Sequence, residues 1–442
     1  MNANGTTFSK AQRVAARFLC LGLLIPPALL ADPLGTNLTL QAVLEYGVEN
    51  NPKLQAAYLQ WKSAELNIAV QKTLPDPMLT YSYYFEAVET KVGPQRQSIG
   101  FSQKIPGFGK LSAMKSIATD LATGEQQRYQ REKLNLQFSI AEAYAELHYL
   151  QRAIEITRDR IRLIRDLEQV ARTRYSAGSS MAPVLQAQLE LGRLEDQLNS
   201  LQDMRQPREA KLNALLNRSA HDPLPITSTL PYKPVDTRSA DLVAGLALTS
   251  PELLELTARI EQGDHQLQLA KRQRLPDFTF GAVYIDTGDA AGPVADSGKD
   301  PVIGTVGISL PIWFGSNHAR IESAANMKMA AQLTLENRTQ TLEADIRQAL
   351  FRLRDADRKI NLYRESLIPK ANQSLEVNRQ GYEAGNMEFI NLIDAERMLL
   401  EFELSCERSL ADHLIARAEL GRLTGIDYLS EITHEDTMNA QE

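Results

Sequence analysis

Two short stretches of the sequence, GYEAGNMEF at residues 381–389 and RYSAGSSMA at residues 174–182, share a Tyr-x-Ala-Gly core. The two cores are 207 positions apart, and each lies between long segments that have apolar residues at helical spacing and almost no helix breaker. Glycine adopts positive φ at a helix C-terminus without steric cost, so each stretch predicts the end of an outgoing helix and the start of a returning one. The chain therefore contains the same helical hairpin twice.

Other features recur in the same order, which indicates two homologous halves of the chain. The tripeptide Leu-Pro-Asp at residues 74–76 returns at 275–277, and PGFG at 106–109 returns loosely as PIWFG at 311–315. The spacing between matched features changes only by small insertions. A duplicated unit of about 200 residues is the simplest explanation.

The first 31 residues have the features of a secretory signal peptide. Lys10, Arg13 and Arg17 precede FLCLGLLIPPALLA, an apolar run of 14 residues that is too short to span a bilayer. A short membrane anchor is the alternative, and the Pro-Pro pair and the length of the run argue against it. Removal of this segment takes the net charge from −7 to −10 and leaves Cys406 as the remaining cysteine, so no internal disulfide is expected.

The rest of the chain divides into four parts. We expect a first repeat over residues 32–218, a linker over 219–237, a second repeat over 238–428 and a polar tail over 429–442. The linker contains several prolines and is expected to form an extended belt on the exterior. The acidic balance and the absence of a basic patch argue against nucleic-acid binding.

Each repeat predicts a helix, a pair of strands, a very long helix and a returning helix. The predicted helices cover about 39–73, 111–174 and 183–217 in the first repeat, and about 238–273, 317–379 and 388–424 in the second, with a kink at Pro369. The long helix of the first repeat would span roughly 90–95 Å at 1.5 Å per residue. A helix of that length needs partners along its whole length.

The predicted strands alternate between an apolar face and a face of hydroxyl-bearing residues and glycine. In MLTYSYYF at residues 78–85 the apolar side chains recur at every second position, and in the return strand Ile99 and Phe101 oppose Ser98 and Gly100. This pattern fits a membrane barrel with a lipid-facing exterior and a polar lumen. It fits a half-buried hairpin of a soluble protein equally well.

Four strands per chain do not close a barrel, so the barrel interpretation requires self-association. Two copies would supply eight strands with a lumen filled by side chains, and three would supply twelve strands, enough to enclose water. The helical hairpins would form a tube beneath the barrel. A secreted protein of this shape is a conduit across the cell envelope.

The doubled Leu-Pro-Asp, IPGFGKL at 105–111, and the tip sequences YSAGSSMAPVLQAQ and YEAGNMEFINLIDAE resemble the TolC family of outer-membrane efflux proteins. The resemblance covers essentially the whole chain after the signal peptide. It implies a mostly α fold with membrane β-barrel strands, in which a trimeric twelve-stranded barrel stands on a periplasmic α-helical barrel. It also implies a tripartite pump, in which the helical tips dock onto a membrane-fusion adaptor and an inner-membrane pump of the RND type supplies the energy. QKIPGFGKL is most similar to the heavy-metal cation efflux branch, which implies passive conduction of metal cations to the exterior.

The same resemblance places a pore constriction at Tyr382, Asn391 and Asp394. Asp394 matches one of two acidic constriction residues of the family, and the other is Asn391 in this chain. The polar lock between helices is not carried over, because Val184 and Met387 stand where a known member has charged residues. Three Asp394 carboxylates around a narrow pore would favour cations. An ordinary solvated carboxylate is the alternative.

The two tips are the candidate contact surface for the adaptor, and a plain helix-turn-helix packing role is the alternative. The candidate docking residues are Gly178, Val184, Leu185, Gly385, Phe389 and Ile390.

No motif predicts an enzyme, a cofactor or a metal site. IPGFGKLS departs from the phosphate-binding loop, because Lys104 and Leu111 occupy the positions of its first Gly and its Ser/Thr. The six histidines have no metal-ligand spacing, and neither a nucleophile elbow nor HExxH is present.

Two alternatives to a metal-efflux duct stay open. One is a duct for organic toxicants or for type I secretion, because selectivity in such assemblies lies largely in the inner-membrane pump. The other is a secreted coiled-coil scaffold that bridges envelope layers without conducting anything, although such a scaffold has no need of amphipathic strands.

Overall fold

The computed structural model describes residues 38–226, 229–230, 232–234, 245 and 248–429. The expected signal peptide, part of the expected linker, the start of the second repeat and residues 430–442 of the expected tail lie outside the described residues. The described part is mostly helical with four strands. No helix in that part is long and apolar enough to cross a membrane.

The first repeat contains seven elements within the described residues. They are α1 (Leu40–Asn50), α2 (Pro52–Gln71), β1 (Met78–Thr90), β2 (Gly93–Ile105), α3 (Lys110–Ser176), α4 (Ala182–Asp203) and α5 (Arg205–Leu215). The single helix expected over about 39–73 is wrong, because the chain leaves helical geometry at Asn51. Pro52 disfavours a helical backbone at the residue before it. The Asn51 side chain then caps α2 by accepting a hydrogen bond from the Leu54 amide at 3.1 Å.

The second repeat also has helix, strand pair, long helix and returning helix in that order, but its long helix is divided and its returning helix is continuous. Its elements are α6 (Pro251–Arg272), β3 (Phe278–Thr287), β4 (Val302–Ile308), α7 (Phe314–Leu362), a π-helical turn (Tyr363–Leu367), α8 (Ile368–Glu383) and α9 (Phe389–Thr424). The interruption expected at Pro369 takes the form of this π-helical turn, which ends just before α8. Proline in the first turn of α8 has no N–H to donate to the preceding turn, so the regular helical ladder is interrupted there.

The core is distributed along the helices rather than gathered at one point. A central cluster surrounds Ile140 and Tyr144 of α3, and a second cluster near the tips surrounds Ile164 of α3 and Leu392 of α9. A third cluster packs α7 against the C-terminal part of α9 around Leu342. The 67 residues of α3 span about 100 Å, so this helix contributes to two of the three clusters.

The linker and the start of the tail take part in this core. The Leu38 amide donates to the Pro225 carbonyl at 2.8 Å, and Leu224 and Ile226 are buried in the central cluster. The described linker residues therefore contribute apolar side chains to the interior. Leu429, the first residue of the expected polar tail, is also buried in the central cluster.

The four strands form one antiparallel sheet in the order β1-β2-β3-β4, so the pairing of β2 with β3 joins the two repeats. One row across the sheet runs Tyr81, Ile99, Tyr284 and Val302, and all four side chains are exposed. The opposite face carries small residues such as Gly100, which is buried. This confirms the predicted alternation of faces. Within the described residues, β1 and β4 each have one edge without a partner strand.

The helices next to the sheet pack side by side in an order that follows the order of the strands. Next to the strands, α2 packs on α3, α3 on α6, and α6 on α7. Towards the tips, α4 packs on α3, α3 on α9, and α9 on α7 and α8. The described helices therefore form one wall, with α2 and α4 at one side and α7 and α8 at the other.

Candidate functional site

The two helical tips are built by the same turn. At the end of α3 the Arg174 carbonyl accepts a hydrogen bond from the Ser179 amide at 3.0 Å, and at the end of α8 the Gly381 carbonyl accepts one from the Asn386 amide at 2.9 Å. Gly178 and Gly385 follow these helix ends with φ of 97° and 78°. Glycine takes this left-handed conformation without a steric penalty, which explains its presence in both tip sequences.

Arg174 ties the first tip to the second. Its Nη2 donates to the Glu383 carbonyl at 2.6 Å, and its guanidinium lies 4.4 Å from the centre of the Tyr382 ring. The Tyr382 ring in turn meets Phe389 edge to face, with 5.1 Å between ring centres. A cation over an aromatic face adds attraction beyond simple packing. The end of α3 is therefore fixed against the turn between α8 and α9.

The predicted tip residues divide into exposed and buried sets. Val184, Phe389 and Tyr382 are buried, and Phe389 and Tyr382 belong to the cluster near the tips. Ile390 is half-buried. The exposed members are Gly178, Leu185, Gly385, Asn391 and Asp394.

Asn391 and Asp394 lie on one exposed face of α9, separated by about one helical turn. Arg397 stands on the same side, with its Nη1 3.5 Å from Asp394 Oδ1. The structure thus brings two of the three predicted constriction residues together. Tyr382, the third, is 5 % exposed in the single chain and packs inside the tip.

A buried carboxylate joins the two repeats just above the tips. Glu190 of α4 is 3 % exposed, and its Oε1 accepts a hydrogen bond from Arg193 Nη2 at 2.7 Å. Its Oε2 accepts two bonds from Arg397 of α9, at 3.0 Å from Nε and 2.6 Å from Nη2. Burial opposes ionisation, but the hydrogen bonds from Arg397 and Arg193 outweigh it and lower the pKa of Glu190.

A second carboxyl group, that of Glu396, is buried close to this network. It is 2 % exposed on the apolar face of α9, between Ile393 and Leu400. Neither of its oxygens has a hydrogen-bond donor among the described residues. Burial is the main reason that the pKa of Glu396 rises to about 7.

Sequence reasoning missed Arg174, Glu190, Glu396 and Arg397. A signal for the two carboxylates was present, since Glu190 follows Val184 and Ala187 on the apolar stripe of α4. Glu396 interrupts the apolar stripe of α9 in the same way. A charged residue within an apolar stripe at helical spacing marks a buried charge that needs a partner.

The opposite end of the helical layer is fastened to the sheet through Asp277. Its Oδ1 accepts hydrogen bonds from the Gly107 amide at 2.8 Å and from Lys110 Nζ at 2.7 Å. Lys104 Nζ lies 3.1 Å from the other oxygen. These donors belong to the first repeat, so Asp277 locks the start of α3 to the entry of β3. The equivalent Asp76 is exposed.

No group of three or more His, Cys, Asp or Glu side chains converges as a metal site within the described ranges. The tips present apolar surface, exposed amide and carboxylate groups, and backbone.

Known proteins resemble this chain over most of its length. The model of the family described as outer membrane efflux protein matches residues 45–218 and 243–426, that is, both repeats. The cobalt-zinc-cadmium resistance protein CzcC of Cupriavidus metallidurans is 23 % identical over 398 residues, which cover 88 % of this chain and 90 % of that protein. The outer membrane protein TolC of Vibrio cholerae is 21 % identical over 85 % of this chain and 88 % of TolC.

Among solved structures, a crystal structure of CusC superposes with a TM-score of 0.74 at 16 % sequence identity. The superposition covers 87 % of this chain and 92 % of the CusC chain, so the two share the fold. The family match confirms the resemblance to outer-membrane efflux proteins that the doubled tip and Leu-Pro-Asp sequences indicated. The chain therefore belongs to the outer membrane efflux protein family, whose members are outer-membrane channels extending into the periplasm and not enzymes.

Proposed function

We propose that three copies of this chain close a twelve-stranded barrel in the outer membrane, above a tube of helices in the periplasm. The trimer conducts heavy-metal cations passively to the exterior, as the outer-membrane part of a tripartite pump. Its partners are a periplasmic membrane-fusion adaptor and an inner-membrane pump of the RND type.

The sheet is the observation that carries this proposal. Its outward row of Tyr81, Ile99, Tyr284 and Val302 places large apolar side chains in solvent, although soluble monomers rarely expose such a band. Lipid is the environment that suits this face. The free edges of β1 and β4 leave backbone groups unpaired, and pairing β4 of one copy with β1 of the next satisfies both.

The helical wall supports the same head-to-tail assembly. At one side, Leu59, Leu66 and Val70 of α2 are exposed, and at the other side Met329 and Leu333 of α7 are exposed. An apolar stripe on a surface helix requires a partner, and each side of the wall offers one to the other. A heterologous contact of this kind closes into a ring when the rotation between copies allows it.

The exposed residues at the tips are suited to contact with the adaptor. Gly178 and Gly385 are exposed at the far ends of the hairpins, and Leu185 is an exposed apolar side chain beside them. Val184 and Phe389 act from beneath this surface, because their burial fixes the positions of the two turns. Contact with the adaptor is therefore expected to involve Leu185 and the backbone of both turns, with Ile390 at the margin.

One comparison and one consequence of the proposed trimer favour metal cations as substrates. The relative in Cupriavidus metallidurans is named for resistance to cobalt, zinc and cadmium. In the trimer, Asp394 and Asn391 of each copy would line the narrowest part of the tube, where a ring of carboxylates attracts cations and repels anions. Tyr382 supports this constriction from inside the tip rather than facing the passage.

Growth inhibition of a strain lacking the gene tests the substrate class. The strain is challenged with salts of copper, silver, zinc, cobalt and cadmium, and with a matched set of dyes, detergents and antibiotics, with and without complementation. Hypersensitivity confined to metals, restored by the intact gene, is the expected result. Sensitivity to the organic compounds alone would overturn the metal assignment and favour the duct for organic toxicants.

A further inference from the structure

The carboxyl group of Glu396 is buried on α9, and neither of its oxygens has a hydrogen-bond partner within the described residues. The nearest cationic atom is Arg160 Nε of α3, 3.3 Å from Oε1, but this contact lacks the alignment of a hydrogen bond. Arg160 is already engaged, since its Nη2 donates to Glu403 Oε2 at 2.5 Å. An ionised carboxylate in this position is costly, and the neutral acid is much less so.

The other charged groups around Glu396 do not favour its ionised form. Glu403 on α9 and Glu190 on α4 are both negative, and Arg193 and Arg397 are bound to Glu190. On α8, the charged side chains nearest the tip pair with one another at the surface, as Glu376 does with Arg379. Arg160 is thus the cation that acts on Glu396, and it is shared with Glu403.

We propose that Glu396 is a positioning residue whose protonation sets how tightly the two tips pack. The neutral acid lets α9 pack against α3 and α4, and the ionised carboxylate favours a looser arrangement in which it reaches water. The effect on conduction rests on the proposed function, because tip packing controls flow only if the tips surround the passage.

The direction of the pH effect follows from proton linkage. In the loosened state the pKa of Glu396 returns towards its ordinary value of 4.5, whereas burial raises the pKa to about 7 in the packed state. The packed state therefore binds more protons between these two values, and raising the pH through this interval opens the tips. Below about pH 4.5 the packing is at its tightest, and above about pH 7 no further loosening is expected.

Hydrogen–deuterium exchange of the purified full-length protein measures this opening. Peptides covering the first half of α9 are compared from about pH 5 to about pH 9, after correction for the intrinsic pH dependence of exchange. The opening constant is expected to rise about tenfold per pH unit up to about pH 7 and then level off. Glu396→Gln, which keeps the shape and removes the titration, should give a flat profile.

Glu401→Gln is the matched control, because Glu401 is exposed on the same helix and its loss should leave the wild-type profile unchanged. A flat wild-type profile would overturn the inference even if Glu396→Gln failed to assemble. A transition that persists in Glu396→Gln would overturn it as well. A protein with the expected exchange profile that conducts no ions in a planar bilayer would support the role of Glu396 and remove the proposed function.

Discussion

Arg397 of the second repeat donates two hydrogen bonds, from Nε and Nη2, to a single carboxylate oxygen of Glu190 in the first repeat. Glu190 is 207 residues away in the chain and almost completely buried. This contact and the contact of Arg174 with Glu383 and Tyr382 hold the two hairpins together near their tips. Val184 and Met387 stand where a known family member has the charged residues of a polar lock between helices. The arginine contacts lie in the same part of this molecule, near the tips.

Replacing Glu190 with Gln is expected to destabilise the tips. The substitution removes the buried carboxylate that pairs with Arg397 and Arg193. A cost of about 1–3 kcal/mol is expected, because loss of a buried ion pair is expensive but Arg397 is half-exposed and keeps its contact with Asp394. Denaturant unfolding at neutral pH measures the difference. Glu195→Gln is the control, because Glu195 pairs with Arg165 at the surface and should cost less than about 1 kcal/mol.

The effect of Glu190→Gln should depend on pH with a defined sign. Because the pKa of Glu190 is lowered in the folded protein, its charge contributes stability that is present above its ordinary pKa of 4.5 and is lost as the pH falls through the folded value. The stability difference between wild type and variant should therefore shrink in acid. A difference that grows below about pH 4.5 would contradict this description of the contact.

Asp277→Asn, where the helical layer meets the sheet, is expected to weaken the junction between α3 and β3. The variant loses charge-assisted bonds to Lys110 and the Gly107 amide, and a loss of about 2 kcal/mol is expected. The measurement is thermal unfolding in detergent. Asp296→Asn, in the exposed loop between β3 and β4, serves as the comparison and should leave the midpoint unchanged. Equal thermal unfolding midpoints for the two variants would contradict a role of Asp277 in holding α3 to β3.

Gly385→Ala tests the turn at the second tip. A Cβ at this position meets no atom within 4 Å, so the penalty comes from the left-handed backbone alone and should be about 1–2 kcal/mol. Gly192 lies within α4 and also has open space around it, so Gly192→Ala should stabilise the protein by about 0.5–1 kcal/mol. In denaturant unfolding, Gly385→Ala is expected to lower the free energy of unfolding and Gly192→Ala to raise it. The same sign for both would contradict the assigned backbone roles.

Asp394→Asn tests the carboxylate ring of the proposed constriction. Removal of three negative charges from the narrow part of the tube should lower the preference for cations over anions. The reversal potential under a salt gradient across a planar bilayer reports this preference. Glu336→Gln, which removes an exposed carboxylate from α7 far from the tips, should leave the reversal potential unchanged. A constant reversal potential in Asp394→Asn would place Asp394 outside the constriction.

Much of the fold was predictable because local rules determine it. Long stretches without proline predict long helices, Gly178 and Gly385 predict the turns, and the period of two predicts the faces of the strands. The break at Asn51 was also predictable from the sequence, because Pro52 follows it. Resemblance to the family supplied the constriction and docking residues, which physical patterns alone would not have selected.

The contacts that join the repeats were not predictable in the same way. Glu190 and Arg397 meet because α3, α4 and α9 pack in a particular register, and helical periodicity gives a face but no register. Asp76 and Asp277 occupy the same Leu-Pro-Asp motif, yet Asp277 lies beside Lys104 of β2 and Lys110 of α3, whereas Asp76 is exposed. Their different surroundings follow from the order of strands in the sheet.

Native mass spectrometry of the full-length protein, released from detergent micelles, tests the assembly on which the conduit depends. One chain supplies four strands and two open sides, so a complex of three chains is expected, and it should dissociate only when the sheet edges and helical sides separate. A single chain that stays monomeric in detergent at every concentration would contradict the closed conduit.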